Sequence, residues 1–195
     1  MSEAAGPSGQ GRPIRIIGIA GSLRARSYNR AALRAAQQLL PPGMSLDIVD
    51  IDGLPGFNED LERNPPQQVV ELKQRIRAAD GVLFATPEYN YSVPGVLKNA
   101  IDWASRPYGD NAWEGKPAAI MGASISSLGT ARAQYHLRQC FVFLRMPAVL
   151  QPEVMIANAA DQFDDNLQLT NPVSRKLIGE LLEQLARLVH LMASP

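Results

Sequence analysis

The stretch IRIIGIAGSLRARSYN, residues 14–29, decides the fold. It begins with a near-continuous apolar run rich in β-branched side chains, which is typical of a strand buried on both faces of a parallel sheet. The run breaks at Gly21 into a loop of hydroxyl, arginine and amide side chains. Apolar residues such as Leu33, Ala36 and Leu40 then recur at helical spacing. The stretch therefore predicts a buried strand, a polar loop and a helix N-terminus in direct succession.

The polar loop of this stretch suits an anion such as a phosphate. Free backbone N–H groups and the positive end of the helix dipole favour negative charge at such a place. Ser22, Ser27 and Asn29 can donate hydrogen bonds, and Arg24 adds a fixed charge and a planar fork of donors. A plainer interpretation stands beside this one, in which Ser22 closes a turn and Asn29 caps the helix. The loop has neither the dinucleotide fingerprint G-x-G-x-x-G nor a P-loop sequence.

The composition limits which partners the protein is expected to bind and in which compartment it is expected to lie. The chain has 195 residues, with 19 Lys and Arg against 19 Asp and Glu, so its formal net charge is zero. This balance predicts no nucleic-acid or membrane partner and permits self-association. A single cysteine, Cys140, excludes an internal disulfide and suits a reducing compartment. Residues 1–13 lack the apolar core of a signal peptide, so we expect a flexible N-terminal tail on a cytoplasmic protein.

The remainder of the chain, residues 14–195, alternates predicted strands with predicted helices and indicates one α/β domain. Strands are expected at 14–20, 46–51, 81–86, 117–123 and 153–157. Helices are expected to follow them, ending near residue 40 and then at about 66–78, 95–105, 131–144 and 173–192. This order is typical of a parallel sheet with helices on both faces.

Three polar loops are expected to meet at one edge of that sheet, because ligands of open parallel sheets lie beyond the carboxyl ends of the strands. The loop at residues 21–29 suits an anion. The loop at 87–91 is rich in aromatic surface and backbone donors, and the loop at 124–130 adds hydroxyls and a glycine. A ligand with a phosphate at one end and a flat heteroaromatic ring at the other fits all three, and flavin mononucleotide (FMN) is such a ligand.

Three motifs carry a resemblance to a known family. GSLRARSYN follows the first strand, PEYNYSVPGVLKNAIDW follows the third, and a serine-rich loop leading into ARAQYHLR follows the fourth. The chain resembles the NADPH-dependent FMN reductase family over residues 14–157. This family includes bacterial quinone, chromate and azo-dye reductases. The third loop departs from the family pattern at residues 126–128, where relatives often carry more glycine.

The resemblance implies a flavodoxin-like three-layer sandwich, with a five-stranded parallel sheet of strand order 2-1-3-4-5 and non-covalently bound FMN. It implies that members assemble as homodimers or homotetramers. It also implies three groups of FMN-binding residues: Ser22, Arg24, Ser27 and Asn29 at the phosphate; Pro87, Glu88, Tyr89 and Asn90 around the isoalloxazine ring, with Tyr91 close to the ring or the nicotinamide nucleotide; and Ser124 at the pyrimidine end.

The activity implied by the resemblance is hydride transfer from NADPH, or NADH, through FMN to a small acceptor such as a quinone, free flavin, azo compound or chromate. The chemistry belongs to the cofactor, so no catalytic acid, base or metal is expected from the protein. One alternative is an electron carrier that does not oxidise NADPH, although such carriers are usually strongly acidic. Another is a flavin-free interaction protein, which leaves the three polar loops unexplained. Glu88 also has a structural interpretation, in which its carboxylate fixes the loop or crosses a dimer boundary.

Overall fold

The computed structural model describes residues 12–193, so the expected tail at residues 1–13 lies outside the described residues except for its last two. Strands and helices alternate along the described part as far as β5, after which two helices follow. The elements are β1 (Ile14–Ala20), α1 (Tyr28–Gln38), β2 (Met44–Val49), α2 (Gln67–Ala78), β3 (Gly81–Ala85), α3 (Gly95–Ala104), β4 (Ala118–Ala123), α4 (Ala131–Leu144), β5 (Val154–Ile156), α5 (Ala159–Gln162) and α6 (Pro172–Ala193), with a short 3₁₀ turn at Glu59–Leu61.

The five strands form one parallel sheet in the order β2-β1-β3-β4-β5, which confirms the predicted flavodoxin-like topology. α1 and α6 pack on one face of the sheet, and α2, α3 and α4 pack on the other. The chain leaves β1 toward β2 on one side and later returns to β3 on the other. The loops after β1 and β3 therefore lie side by side at the switch point, where ligands of this architecture bind.

The core is built from the apolar runs seen in the sequence. Ile16, Ile19, Leu83 and Phe84 on β1 and β3 are 0 or 1% exposed, because helices cover both faces of these central strands. None of the helices within residues 12–193 is long and apolar enough to cross a membrane.

Strand β2 lies two residues earlier than predicted, at Met44–Val49 rather than 46–51. The physical reason is a side-chain turn that ends the strand. The Asp50 carboxylate accepts the N–H of Asp52 at 3.1 Å, and the Asp52 carboxylate accepts the N–H of Gly53 at 2.9 Å. Such aspartate turns compete with strand pairing and favour a loop.

Gly122 allows the start of α4 to lie directly against the sheet. A Cβ atom at Gly122 would lie 2.1 Å from the Thr130 hydroxyl oxygen and 2.3 Å from the Thr86 carbonyl oxygen. No larger residue fits between these atoms, so the glycine sets how closely the α4 N-terminus approaches the ends of β3 and β4. This close approach brings residues of α4 within reach of the loop after β3.

Candidate mononucleotide site

The loops after β1, β3 and β4 enclose a cavity of about 250 Å³ at the carboxyl edge of the sheet. Eight of the ten residues that the sequence nominated line it, and Asn90 and Tyr91 do not. The lining residues are Ser22, Arg24, Ser27, Tyr28, Asn29, Pro87, Glu88, Tyr89, Ala123, Ser124 and Ile125. The topology thus brings together all three of the predicted polar loops, although the outermost lining residues, Ser22 and Ile125, are 103 residues apart in sequence.

The loop between β1 and α1 presents a set of unused donors. Within residues 12–193, no backbone N–H from residue 22 to residue 29 donates a hydrogen bond to another residue. The Ser22 and Ser27 side chains are buried at the base of this loop, while Arg24 is exposed and forms no ion pair among the described residues. The first turn of α1 carries no acidic residue. This combination of free N–H groups, hydroxyls and an unpaired cation is suited to binding a phosphate.

The cap of α1 is Ser27, not Asn29 as the plainer interpretation of the loop supposed. Ser27 Oγ accepts the backbone N–H of Arg30 at 3.3 Å. Asn29, which is 3% exposed, reaches across to the last residue of β4. Its Nδ2 donates to the Ala123 carbonyl oxygen at 2.9 Å, and its Oδ1 accepts the Ala123 N–H at 2.9 Å.

Glu88 fixes the loop after β3 to the start of α4. Its carboxylate accepts the backbone N–H groups of Arg132 at 2.9 Å and Ala133 at 3.1 Å, and it forms an ion pair with the Arg132 guanidinium. The carboxylate therefore satisfies free donors of the α4 N-terminus and complements its dipole. These contacts agree with the structural interpretation of Glu88, while its position in the cavity wall keeps it next to any bound ligand.

A tight turn at residues 89–92 forms the outer part of this loop. Tyr89 N–H donates to the Ser92 carbonyl at 3.1 Å and Ser92 N–H to the Tyr89 carbonyl at 3.0 Å. The two central residues, Asn90 and Tyr91, have φ angles of 49° and 66°. The Arg132 guanidinium lies 3.6 Å from the centroid of the Tyr91 ring, and Tyr89 is about half exposed beside the cavity. The turn thus holds Tyr91 over Arg132 and leaves Tyr89 as the aromatic wall.

The loop after β4 is held by its own hydroxyls and by β5. Ser124 N–H donates to the Ile156 carbonyl at 3.0 Å, and Ser124 Oγ accepts the Ser126 N–H at 3.2 Å. The predicted site residue Ser124 is therefore anchored in the cavity wall, whereas Ser126 is exposed and does not line the cavity.

Two further reactive side chains, Cys140 and His136, do not line the cavity. Burial raises the pKa of the Cys140 thiol, which disfavours the thiolate that a nucleophile needs. His136 Nδ1 lies 2.9 Å from Ser92 Oγ. Within residues 12–193, no cluster of His, Cys, Asp and Glu side chains is arranged to hold a metal ion.

Sequence reasoning missed Arg132, Tyr28 and Ile125. Arg132 lies within the quoted ARAQYHLR motif, but its link to Glu88 joins residues 44 apart and follows from the approach of α4 to β3. Tyr28 is the first residue of α1 and directly follows the capping serine. A predicted helix start at residue 28 would have placed this side chain at the site. No sequence signal singles out Ile125.

The donor set of the cavity fits FMN. Free N–H groups and Arg24 at one end match a phosphate, and an exposed tyrosine and the wall of the third loop match a planar ring at the other. A parallel sheet in this order, with such a site at its switch point, defines a flavodoxin-like protein that binds a flavin mononucleotide. The profile of the family described as NADPH-dependent FMN reductase matches residues 14–161, and the chain belongs to that family.

Similar proteins agree with this assignment. An NAD(P)H-dependent FMN reductase of Pseudomonas aeruginosa is 54% identical over 173 residues, which cover 88% of this chain and 93% of the relative. A 2-hydroxy-1,4-benzoquinone reductase of a Burkholderia species is 42% identical over 173 residues, covering 89% and 94%. The structure of FerB, a flavoenzyme NAD(P)H:(acceptor) oxidoreductase from Paracoccus denitrificans, superimposes with a TM-score of 0.84 at 35% identity, covering 92% of this chain and 98% of FerB.

The prediction of an oxidoreductase that uses FMN and NAD(P)H is thereby confirmed. The alternative of an electron carrier without its own NADPH oxidation finds no support among these similar proteins.

Proposed function

We propose that this enzyme passes two electrons from NADPH or NADH to a small acceptor, with a quinone as the favoured class and free flavin, azo compounds or chromate as further acceptors. The observation that carries the proposal is the single cavity that joins the unused donors of residues 22–29 to the aromatic turn and the third loop. The Burkholderia relative, which is named a 2-hydroxy-1,4-benzoquinone reductase, supports the choice of a quinone. The compartment proposed for this reaction is the cytoplasm.

At the phosphate end, Ser22, Arg24 and Ser27 hold the anionic group. Ser22 and Ser27 are buried at the base of the loop, so few water molecules compete for their hydroxyls, and Arg24 supplies the positive charge. Ser27 accepts from Arg30 through its oxygen and keeps its own proton free to donate. The free N–H groups of the loop complete a nest for the phosphate oxygens.

At the ring end, Pro87, Glu88, Tyr89 and Ser124 form the walls, with Asn90 and Tyr91 on the turn beyond them. These residues would hold the FMN ring, and the bound flavin would supply the hydride-transfer chemistry between reductant and acceptor. Among residues 12–193, the N–H groups of Glu88, Asn90 and Tyr91 donate to no other residue, so they are available to stabilise negative charge on the ring. Tyr89 is 47% exposed, so the ring side stays open for reductant and acceptor in turn.

The proposed unit of function is one domain, residues 14–195, assembled as a homodimer or homotetramer. Because the formal net charge is zero, electrostatic repulsion between copies of the chain does not oppose such association. Exposed apolar side chains on α4, with Val142 81% and Phe143 77% exposed, offer a surface for it. No nucleic acid, membrane or metal is needed by the proposed reaction.

The decisive experiment is the visible absorption spectrum of the purified protein, loaded with FMN, before and after anaerobic addition of NADPH. We expect flavin bands that bleach with NADPH and return when a quinone is added. Flavin bands that persist with NADPH would contradict the reductase, and a protein that takes up no flavin would contradict the assignment of the cavity.

The phosphate assignment is tested separately with Arg24→Ala. Removing a charge-assisted contact to phosphate is worth about 1.5–3 kcal/mol, so we expect the dissociation constant of FMN to rise by a factor of about 10–100. Riboflavin lacks the phosphate and should bind the variant as it binds the wild type. Equal weakening of both flavins would contradict the placement of the phosphate at Arg24.

A further inference from the structure

The last residue of β4 has backbone groups that the sheet itself does not pair. In a parallel strand, the N–H and C=O of one residue face one neighbouring strand, and residues two apart face the same side. Met121 faces β3, because its carbonyl accepts the Thr86 N–H at 2.9 Å, and Ser124 faces β5. Ala123 therefore faces the β3 side. There β3 has ended at Ala85, and the next donor in register, the N–H of Glu88, forms no hydrogen bond with Ala123.

Asn29 replaces the missing strand at this position. A side-chain amide has one carbonyl and one N–H₂ group, so it can pair with a peptide group as a neighbouring strand does. The Asn29 amide meets the Ala123 N–H and carbonyl at 2.9 Å each, across 94 residues of sequence. Both residues are 3% exposed, so water cannot easily substitute for either bond.

This contact joins two walls of the cavity. Asn29 lies in the first turn of α1, directly behind the loop with the unused donors, and Ala123 leads directly into Ser124 and Ile125. The pair of hydrogen bonds therefore fixes the distance between the phosphate end and the ring end of the site. An asparagine whose amide is committed in this way has one N–H and one lone pair left for any ligand.

We propose that Asn29 is a positioning residue that holds the third loop in register with the first, so that it governs recognition of the flavin ring rather than of the phosphate. This inference rests on the proposed function of the cavity. If Asn29 only contacted the phosphate, its loss would leave riboflavin binding unchanged. As a positioning residue, its loss weakens binding of a flavin that has no phosphate.

The test compares dissociation constants of FMN and riboflavin, measured by quenching of flavin fluorescence, for wild type and Asn29→Ala. Arg24→Ala serves as the contrasting variant, and Asn64→Ala, at an exposed asparagine, serves as the matched control. We expect Asn29→Ala to weaken both flavins by the same factor, roughly tenfold for two lost hydrogen bonds. Arg24→Ala should weaken FMN alone, and Asn64→Ala should weaken neither.

A second measurement separates positioning from a loss of stability. The midpoint potential of bound FMN is measured at saturating flavin, where the folded fraction no longer matters. We expect it to become more negative in Asn29→Ala, because a displaced third loop lets the ring shift away from the N–H groups of Glu88, Asn90 and Tyr91. Where Asn29→Ala does not fold, Asn29→Ser is used instead, since serine adds no charge and its shorter side chain cannot reproduce both amide hydrogen bonds to Ala123.

Two outcomes would overturn the inference alone: a variant that loses FMN but binds riboflavin as the wild type does, or one with an unchanged midpoint potential and unchanged riboflavin affinity. A wild-type protein that binds neither flavin would overturn the proposed function and the inference together.

Discussion

Glu88 supports the candidate site by fixing its wall and takes no part in the proposed hydride transfer. Its side chain is 5% exposed, accepts two N–H groups of α4 and pairs with Arg132. Glu88→Gln keeps the shape but removes the charge that complements both the guanidinium and the helix dipole. We expect the free energy of unfolding, measured with urea in the absence of flavin, to fall by about 1–3 kcal/mol.

Glu183→Gln is the control for this substitution, since Glu183 is exposed on α6 and has no partner among the described residues. It should change the free energy of unfolding by less than about 0.5 kcal/mol. If the two variants proved equally stable, the carboxylate of Glu88 would contribute nothing to the α4 N-terminus, and a direct role toward the ligand would be favoured instead.

The turn at residues 89–92 carries a backbone conformation that its sequence does not favour. Two-residue hairpin turns with positive φ at both centres prefer glycine or asparagine, yet the second centre here is Tyr91, with a φ of 66°. Replacing Tyr91 by Asn, Ala or Val removes the aromatic ring in every case and differs in how well the new residue accepts positive φ. We expect stability to fall in the order Asn, Ala, Val, with roughly 1 kcal/mol between Asn and Ala, measured by urea unfolding.

All three variants lose the stacking between Tyr91 and Arg132. Differences in stability among them therefore report the cost of positive φ alone. Equal stabilities would mean that the turn relaxes to another conformation once the ring is gone. A tyrosine at a strained position is consistent with a role of the turn in ligand binding, because strain of this kind is tolerated mainly at functional sites.

Patterns that are local in sequence predicted their elements closely. β1 and α4 have the predicted bounds, because an unbroken β-branched run and a helical repeat each define themselves within a few residues. The end of β2 was missed because two aspartates formed a turn within an alternating pattern. The partners of Asn29 and Glu88 could not be predicted, since these contacts join residues 94 and 44 apart and depend on how the loops meet. The sequence thus predicted which residues surround the cavity better than what each one contacts.

The molecule exposes several aromatic and aliphatic side chains on the side of the sheet that carries α3 and α4. A cavity of about 710 Å³ lies there, larger than the one at the proposed flavin site; Phe57, Ile101, Tyr108 and Phe143 line part of it, and charged side chains such as Lys98 and Arg145 line the rest. Tyr108 and Phe143 are 76% and 77% exposed. Exposed aromatic side chains that line one cavity are typical of interfaces between subunits. We therefore expect this surface to be buried in the proposed homo-oligomer.

Phe143→Asp tests that expectation by sedimentation velocity over a range of protein concentrations. Burying an unpaired carboxylate at the centre of an interface is unfavourable, and aromatic anchors commonly contribute 2 kcal/mol or more. The dissociation constant of the oligomer should therefore rise by about 30-fold or more. Val173→Asp is the matched control, because Val173 is 63% exposed on α6, which packs on the opposite face of the sheet. A Phe143→Asp variant that sediments like both the wild type and Val173→Asp would place the subunit interface elsewhere. A monomer that still binds FMN with the wild-type dissociation constant would further show that each flavin site is completed by one chain.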